Sequence, residues 1–161
     1  MTKKEILKYW ENVRMLTLKL LDRFPEQQFG FRPANNVRSV AELFDHVLAV
    51  ELYARKGLIE NVWGPVPTPG LGMTEKALLR DALSEEHAAT IAMLRSLPEK
   101  SFSQLYNTPF GKLTGEGMIY LALDEEIHHR GNLYTYLRIL GIEPPQMVQS
   151  YFEIFMEEQN G

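Results

Sequence analysis

Apolar positions recur at steps of three and four along nearly the whole chain, the spacing of amphipathic helices. From Thr2 to Phe24, the residues Ile6, Trp10, Val13, Leu20 and Phe24 fall on one stripe, with Thr17 as its polar member. Pro25 ends this helix, because its ring and missing N–H cannot continue the ladder. The stretch to Arg38, with Gly30, Pro33 and the Asn35-Asn36 pair, reads as a connection. Ser39 and Glu42 form a capping box that opens a second helix. Its inward stripe is Leu43, His46, Val50 and Tyr53, with Val47 alongside, and it ends near Glu60. Residues 62–73 contain three prolines and three glycines, which excludes helix there. Connections of that length are uncommon in a compact bundle and are often functional or mobile.

Thr74 is the expected cap of a third helix carrying Leu79, Leu83, Thr90, Leu94 and Leu97, which Pro98 ends. Residues 98–113, with Asn107-Thr-Pro-Phe-Gly111, read as a second irregular stretch. Thr114 is the expected cap of a fourth helix reaching Leu140, with Gly141 just past its end and Pro144-Pro145 beyond. A short last helix is expected from Gln149 to Glu158. No segment alternates apolar and polar residues convincingly, so no sheet is expected. The pattern predicts an all-α four-helix bundle with long connections between helices two and three and between three and four. One domain is expected to fill residues 1–161. Bundles of this kind build their sites among facing helices.

Composition narrows the chemistry. The chain has no cysteine, which excludes disulfides, thiolate zinc sites, iron–sulfur clusters and a cysteine nucleophile. Any metal must take histidine and carboxylate, and only His46, His87, His128 and His129 supply imidazole. Seventeen Lys+Arg against 21 Asp+Glu, without a basic run, offers no attraction to nucleic acid or anionic lipid. The N-terminus lacks the apolar core of a signal peptide, and apolar runs such as Met118 to Leu123 are too short to span a bilayer. A soluble, cytoplasmic protein is the expectation.

Chemistry concentrates in Asp124-Glu-Glu-Ile-His-His-Arg-Gly-Asn132. Met118, Ala122, Glu125, His129, Asn132 and Tyr136 advance by four, three, four, three and four, so they share one helix face. Glu125 and His129 then lie one turn apart, about 6 Å between side-chain origins, and can converge on one ion. His46, on the inward stripe of the second helix, would supply a third ligand. Two plainer alternatives fit the same spacing: an intrahelical Glu125–His129 ion pair, and His46 as a hydrogen-bonded core histidine. Asp124 and His128 repeat the i,i+4 spacing on a neighbouring face. Asp45 and Asp124 are candidates to orient a ligating imidazole from behind. His128 is expected at the rim, and His87, beside Glu85-Glu86, in solvent. Gly131 inside the helix suggests close approach of another helix or a ligand, or simple drift. Candidate pocket walls are Tyr53, Trp63, Phe110, Tyr120 and Tyr136, and the amide of Asn132 reaches toward the same face. Trp63 and Phe110 stand out because they sit in the irregular loops.

Three segments carry a resemblance: Phe31-Arg-Pro-Ala34, Val37-Arg-Ser-Val40 leading to Leu43-Phe-Asp-His46, and Glu126-Ile-His-His-Arg-Gly running through Gly141 to Pro144-Pro145. Together they resemble the DinB-like family over essentially the whole chain. The resemblance implies a four-helix bundle, commonly a homodimer, with a divalent metal held by three histidines. One matches His46, another matches His129, and the position of the third is occupied by Glu125. Asn132 likewise stands where glutamine is common. His₂Glu with an open position suits catalytic zinc, and two histidines with one carboxylate suit non-haem iron. The metals implied are zinc or nickel, with iron a further candidate. Family activities imply a hydrolase or a low-molecular-weight-thiol S-transferase acting on a small-molecule substrate. The alternative is a non-catalytic, stress-related binding or dimerisation bundle whose metal site has decayed. Direct contact with nucleic acid or membrane is not expected.

Overall fold

A computed structural model describes residues 2–160, with side chains through Glu153. Six helices and one hairpin follow in order: α1 (Lys3–Arg23), α2 (Val40–Glu60), α3 (Lys76–Ser96), α4 (Lys100–Ser103), β1 (Leu105–Thr108), β2 (Gly111–Thr114), α5 (Gly115–Ile139) and α6 (Met147–Asn160). A single 3₁₀ turn, Glu26–Gln28, follows α1. The bundle consists of α1, α2, α3 and α5. Each of α1 and α2 packs on both α3 and α5, so the order around the bundle is α1, α3, α2, α5. The long connections allow α2 and α5, the two helices with the predicted ligands, to lie side by side.

Local chemistry fixes the helix ends. Capping boxes at Thr2/Glu5 and Ser39/Glu42 satisfy end N–H groups reciprocally at the starts of α1 and α2. Each such cap contributes about 1 kcal/mol. Thr114 caps α5 through its side chain, which accepts from the Gly117 N–H. The third helix departs from expectation, because the chain remains extended through Glu75 and Thr74 is not its cap. Its start is held instead by Lys76, which donates through Nζ to the carbonyls of Phe24 (2.6 Å) and Asp22 (3.3 Å).

The expectation of no sheet is also corrected. Strands β1 and β2 pair antiparallel, Leu105 opposite Thr114 and Thr108 opposite Gly111. The Thr108 hydroxyl closes the turn, accepting from Phe110 N–H (3.2 Å) and donating to the Gly111 carbonyl (2.8 Å). Only Tyr106 of the first strand is buried, and four-residue strands are too short to establish an alternation.

The core has two apolar halves. One gathers Leu20, Phe24, Phe44, Leu48, Leu83 and Leu137, and the other Ile6, Trp10, Ala54, Ile91, Leu94 and Ile119. Between them along α1 lies buried Arg14. Its Nε donates to Glu126 Oε1 at 2.8 Å, its Nη2 to Glu126 Oε2 at 3.0 Å, and its Nη1 to the Leu83 carbonyl at 2.8 Å. Nη2 also lies 2.8 Å from Glu51 Oε2. His87 Nδ1 meets Glu51 Oε1 at 3.0 Å, and Trp10 Nε1 donates to Glu126 Oε2 at 3.2 Å. His87 is therefore buried rather than solvated, because it faces Glu51 across the α2–α3 contact and not its exposed neighbour Glu85. This network ties all four bundle helices together through ion pairs and hydrogen bonds.

Candidate metal centre

Consecutive residues of an α-helix point about 100° apart, so adjacent carboxylates on α5 serve different neighbours. Glu126 turns into the Arg14 network, whereas Glu125 turns toward α2. One turn further along α5, His129 joins Glu125 from the same side. Glu125 Oε2 lies 3.4 Å from His46 Nε2 and 3.2 Å from His129 Nε2. The two imidazoles face each other edge to face, with ring centroids 5.0 Å apart. His46, Glu125 and His129 can each offer one ligand atom, with all three atoms within 4.8 Å of one another. Among the described residues they form the only group of three histidine or acidic side chains placed to hold a metal ion.

The surroundings prepare those donors. His46 and His129 are buried, while Glu125 keeps 39% of its side chain exposed. His46 Nδ1 lies 3.2 Å from the Pro67 carbonyl, an acceptor for a ring N–H, and its Nε2 faces Glu125 and His129. His129 has no hydrogen-bond partner on either ring nitrogen. Burial, then the charge of His46, lowers its pKa to about 4 against the opposite pull of Glu125. That shift disfavours the protonated ring that an ion pair with Glu125 would need. A buried imidazole without a hydrogen-bond partner, beside a carboxylate and a second imidazole, is a donor set that could hold a divalent ion.

The cluster opens on a cavity of about 650 Å³. Tyr53, Phe110 and His128 lie on its wall, together with Val50, Met118 and Arg38. The other wall candidates serve elsewhere. Trp63 packs its ring on Gly57, where any Cβ would strike it, and lies edge-on to Tyr53 and Tyr106. Tyr136 donates through its hydroxyl to the Arg38 carbonyl at 2.9 Å and meets Phe31 edge-on. Asn132 and Tyr120 are not among the residues lining the cavity. Gly131 has open space where a Cβ would stand, so close approach does not explain it.

The aspartates do not orient the imidazoles. Asp124 is exposed. Both oxygens of buried Asp45 are engaged by the connection between α2 and α3, accepting from the N–H groups of Leu71 (2.6 Å), Gly72 (2.9 Å) and Met73 (3.1 Å). Gly70, at φ +73°, lets the backbone pass where a Cβ would meet the Asp45 carboxylate. The same connection receives Arg38 Nη2 at the Thr68 carbonyl (3.1 Å), and its Pro67 carbonyl faces His46. A Pro/Gly-rich loop thus acts as a tied wall of the site. Sequence periodicity missed Arg38 because it lies outside any helix, and missed Pro67 because a backbone carbonyl leaves no side-chain signal.

A family model of the DinB superfamily matches residues 9–133. The chain is 28% identical over 141 residues to the uncharacterized protein YjoA of Bacillus subtilis, covering 85% of this chain and 90% of that protein. The crystal structure of that DinB-like protein superposes with a TM-score of 0.72 at 26% identity, over 88% of this chain and 96% of the other. A DinB-like protein from Bacillus cereus gives a TM-score of 0.75 at 15% identity, over 89% of this chain and 96% of the other. A mycothiol-dependent maleylpyruvate isomerase shares the fold, with a TM-score of 0.65 at 15% identity, over 80% of this chain and 60% of the isomerase. No described helix is long and apolar enough to cross a membrane.

Proposed function

The chain belongs to the DinB superfamily, and on that footing we propose that it is a divalent-metal-dependent enzyme of hydrolase or low-molecular-weight-thiol S-transferase type. His46, Glu125 and His129 would hold the ion. The observation that carries this reading is His129, whose two buried ring nitrogens have no hydrogen-bond partner while two further donors converge beside it. Three protein ligands leave a coordination position for a water or a thiolate, whose pKa a bound divalent ion lowers. The chain's own residues supply the rest. The Pro67 carbonyl, 3.2 Å from His46 Nδ1, would favour the tautomer that ligates through Nε2, and the walls around Val50, Tyr53 and Met118 would hold the apolar part of a substrate and limit water. A carboxylate in place of a third imidazole lowers the charge of the site by one. That makes the ion a weaker Lewis acid than a three-histidine set would. Support for the thiol side comes from the fold shared with a mycothiol-dependent enzyme.

Metal analysis of the protein purified without a histidine tag tests the proposal. Zinc, nickel or iron near one ion per chain, lost in His46→Ala, is the expected result. A wild-type protein that stays metal-free after titration with all three ions would favour the rival reading, a non-catalytic bundle with a decayed site.

A further inference from the structure

Arg38 is the only arginine or lysine lining the cavity that holds His46, Glu125 and His129. Its backbone is fixed by the Tyr136 hydroxyl on its carbonyl, and its guanidinium is steered by one bond from Nη2 to Thr68. A guanidinium has five N–H donors, so most remain for other acceptors. Arg14, Arg32, Arg55, Arg80 and Arg95 each sit on a carboxylate of the chain. Among the described residues Arg23, Arg38, Arg130 and Arg138 have no such partner, and of these four Arg38, half-buried, is the one that lines this cavity. A partly desolvated cation without a counter-ion favours an anion from outside, and a planar fork favours a carboxylate through two parallel bonds.

The rest of the cavity describes the remainder of that ligand. Val50, Leu113, Met118 and Leu121 give apolar wall, and Phe110, 61% exposed at the tip of the hairpin, extends it to the mouth. Glu125 sets the charge limit. In the metal-free cavity a dianionic phosphate would set two further charges beside this carboxylate against one arginine, whereas a carboxylate ligand sets one. We propose that Arg38 is the anion-recognising residue of this cavity and that its ligand is a monocarboxylate carrying an apolar chain. This deepens the reading of the cavity as the substrate site beside the metal centre, and names the substrate class for it.

Calorimetric titration with octanoate and with 1-octanol, in metal-free and zinc-supplemented protein, tests the assignment. Wild type is expected to bind octanoate more tightly than octanol in both states. Arg38→Met should weaken octanoate roughly 10-fold to 100-fold, the range for losing a hydrogen-bonded charge, and leave octanol unchanged. Arg38→Lys should recover part of the loss, because it restores the charge without the fork. Shortening octanoate should weaken it by about fourfold per methylene. Unchanged octanoate affinity in Arg38→Met, an equal loss of octanol, or no octanoate binding by wild type would overturn the proposal. Zinc affinity measured without octanoate reports on the metal centre separately. A wild type that binds octanoate through Arg38 but takes no zinc would refute only the metal.

Discussion

Replacing Glu126 by alanine should expose how the bundle is held at its centre. The substitution removes both acceptors of the Arg14 fork, at 2.8 and 3.0 Å, and the acceptor of the Trp10 indole at 3.2 Å. Arg14 would retain Glu51 and the Leu83 carbonyl, but part of its guanidinium would be buried without a partner. Breaking a buried pair from one side costs about 3–5 kcal/mol, because the surviving charge has lost its solvation. At this chain length that corresponds to a fall in Tm of roughly 6–20 °C. Urea unfolding followed by circular dichroism, with thermal melts beside it, measures both. A loss below about 1 kcal/mol would refute the reasoning and mean that water reaches Arg14 in the variant. The same network sets the acid limit. Burial raises the pKa of Glu51, but Arg14 and then His87 bring it down to about 2 from an ordinary 4.5. Glu126 is lowered in the same way by Arg14. A carboxylate depressed in the folded state stabilises above its ordinary pKa, and that stability is lost as pH falls through the folded value. Wild-type stability should therefore decline between about pH 4.5 and pH 2, and Glu51→Gln should flatten that decline.

Other predictions concern the site and its wall. Asp45→Asn replaces a carboxylate that accepts three loop N–H bonds, so hydrogen exchange at Leu71, Gly72 and Met73 should accelerate selectively. Wild-type protection there would show that other contacts hold the loop. Gly57→Ala places a methyl group in the Trp63 ring. Trp63 should leave its seat and its fluorescence shift to the red, while an unshifted spectrum would contradict the close packing. In metal-free protein, NMR titration should find the His129 ring neutral down to about pH 4, and a midpoint near 6.5 would deny its desolvation. Because its folded pKa is depressed, the unfolded chain binds more protons between about 4 and 6.5, and His129 contributes stability that rises with pH across that window.

The elements most legible in the sequence were those written in long periodic runs. The stripe from Ile6 to Phe24, the Ser39 capping box and the i,i+4 spacing of Glu125 and His129 all depend on local geometry, and local geometry repeats along a helix. The hairpin escaped because four residues per strand carry too little alternation, and its register depends on a Thr108 turn bond. His87 was misplaced because its neighbours in sequence are exposed while its partner, Glu51, lies 36 positions away on α2. Asp45 is a candidate from sequence to orient an imidazole, yet it serves the loop instead. Only the folded loop shows three amides closer at hand. Likewise, periodicity puts Glu125 on the face of His129, but nothing local pairs Glu126 with Arg14, 112 positions away.

That division of labour makes Glu125 the residue to measure. Zinc affinity of wild type, Glu125→Gln and Glu125→His, determined by competition with a chromophoric chelator, tests the metal centre most directly. Wild type should take one zinc per chain. Glu125→Gln should weaken it at least as much as the 10–100-fold typical of losing an outer partner, and Glu125→His should hold it as tightly or more so. Equal affinity in wild type and Glu125→Gln, or no zinc bound by any of the three, would contradict the account.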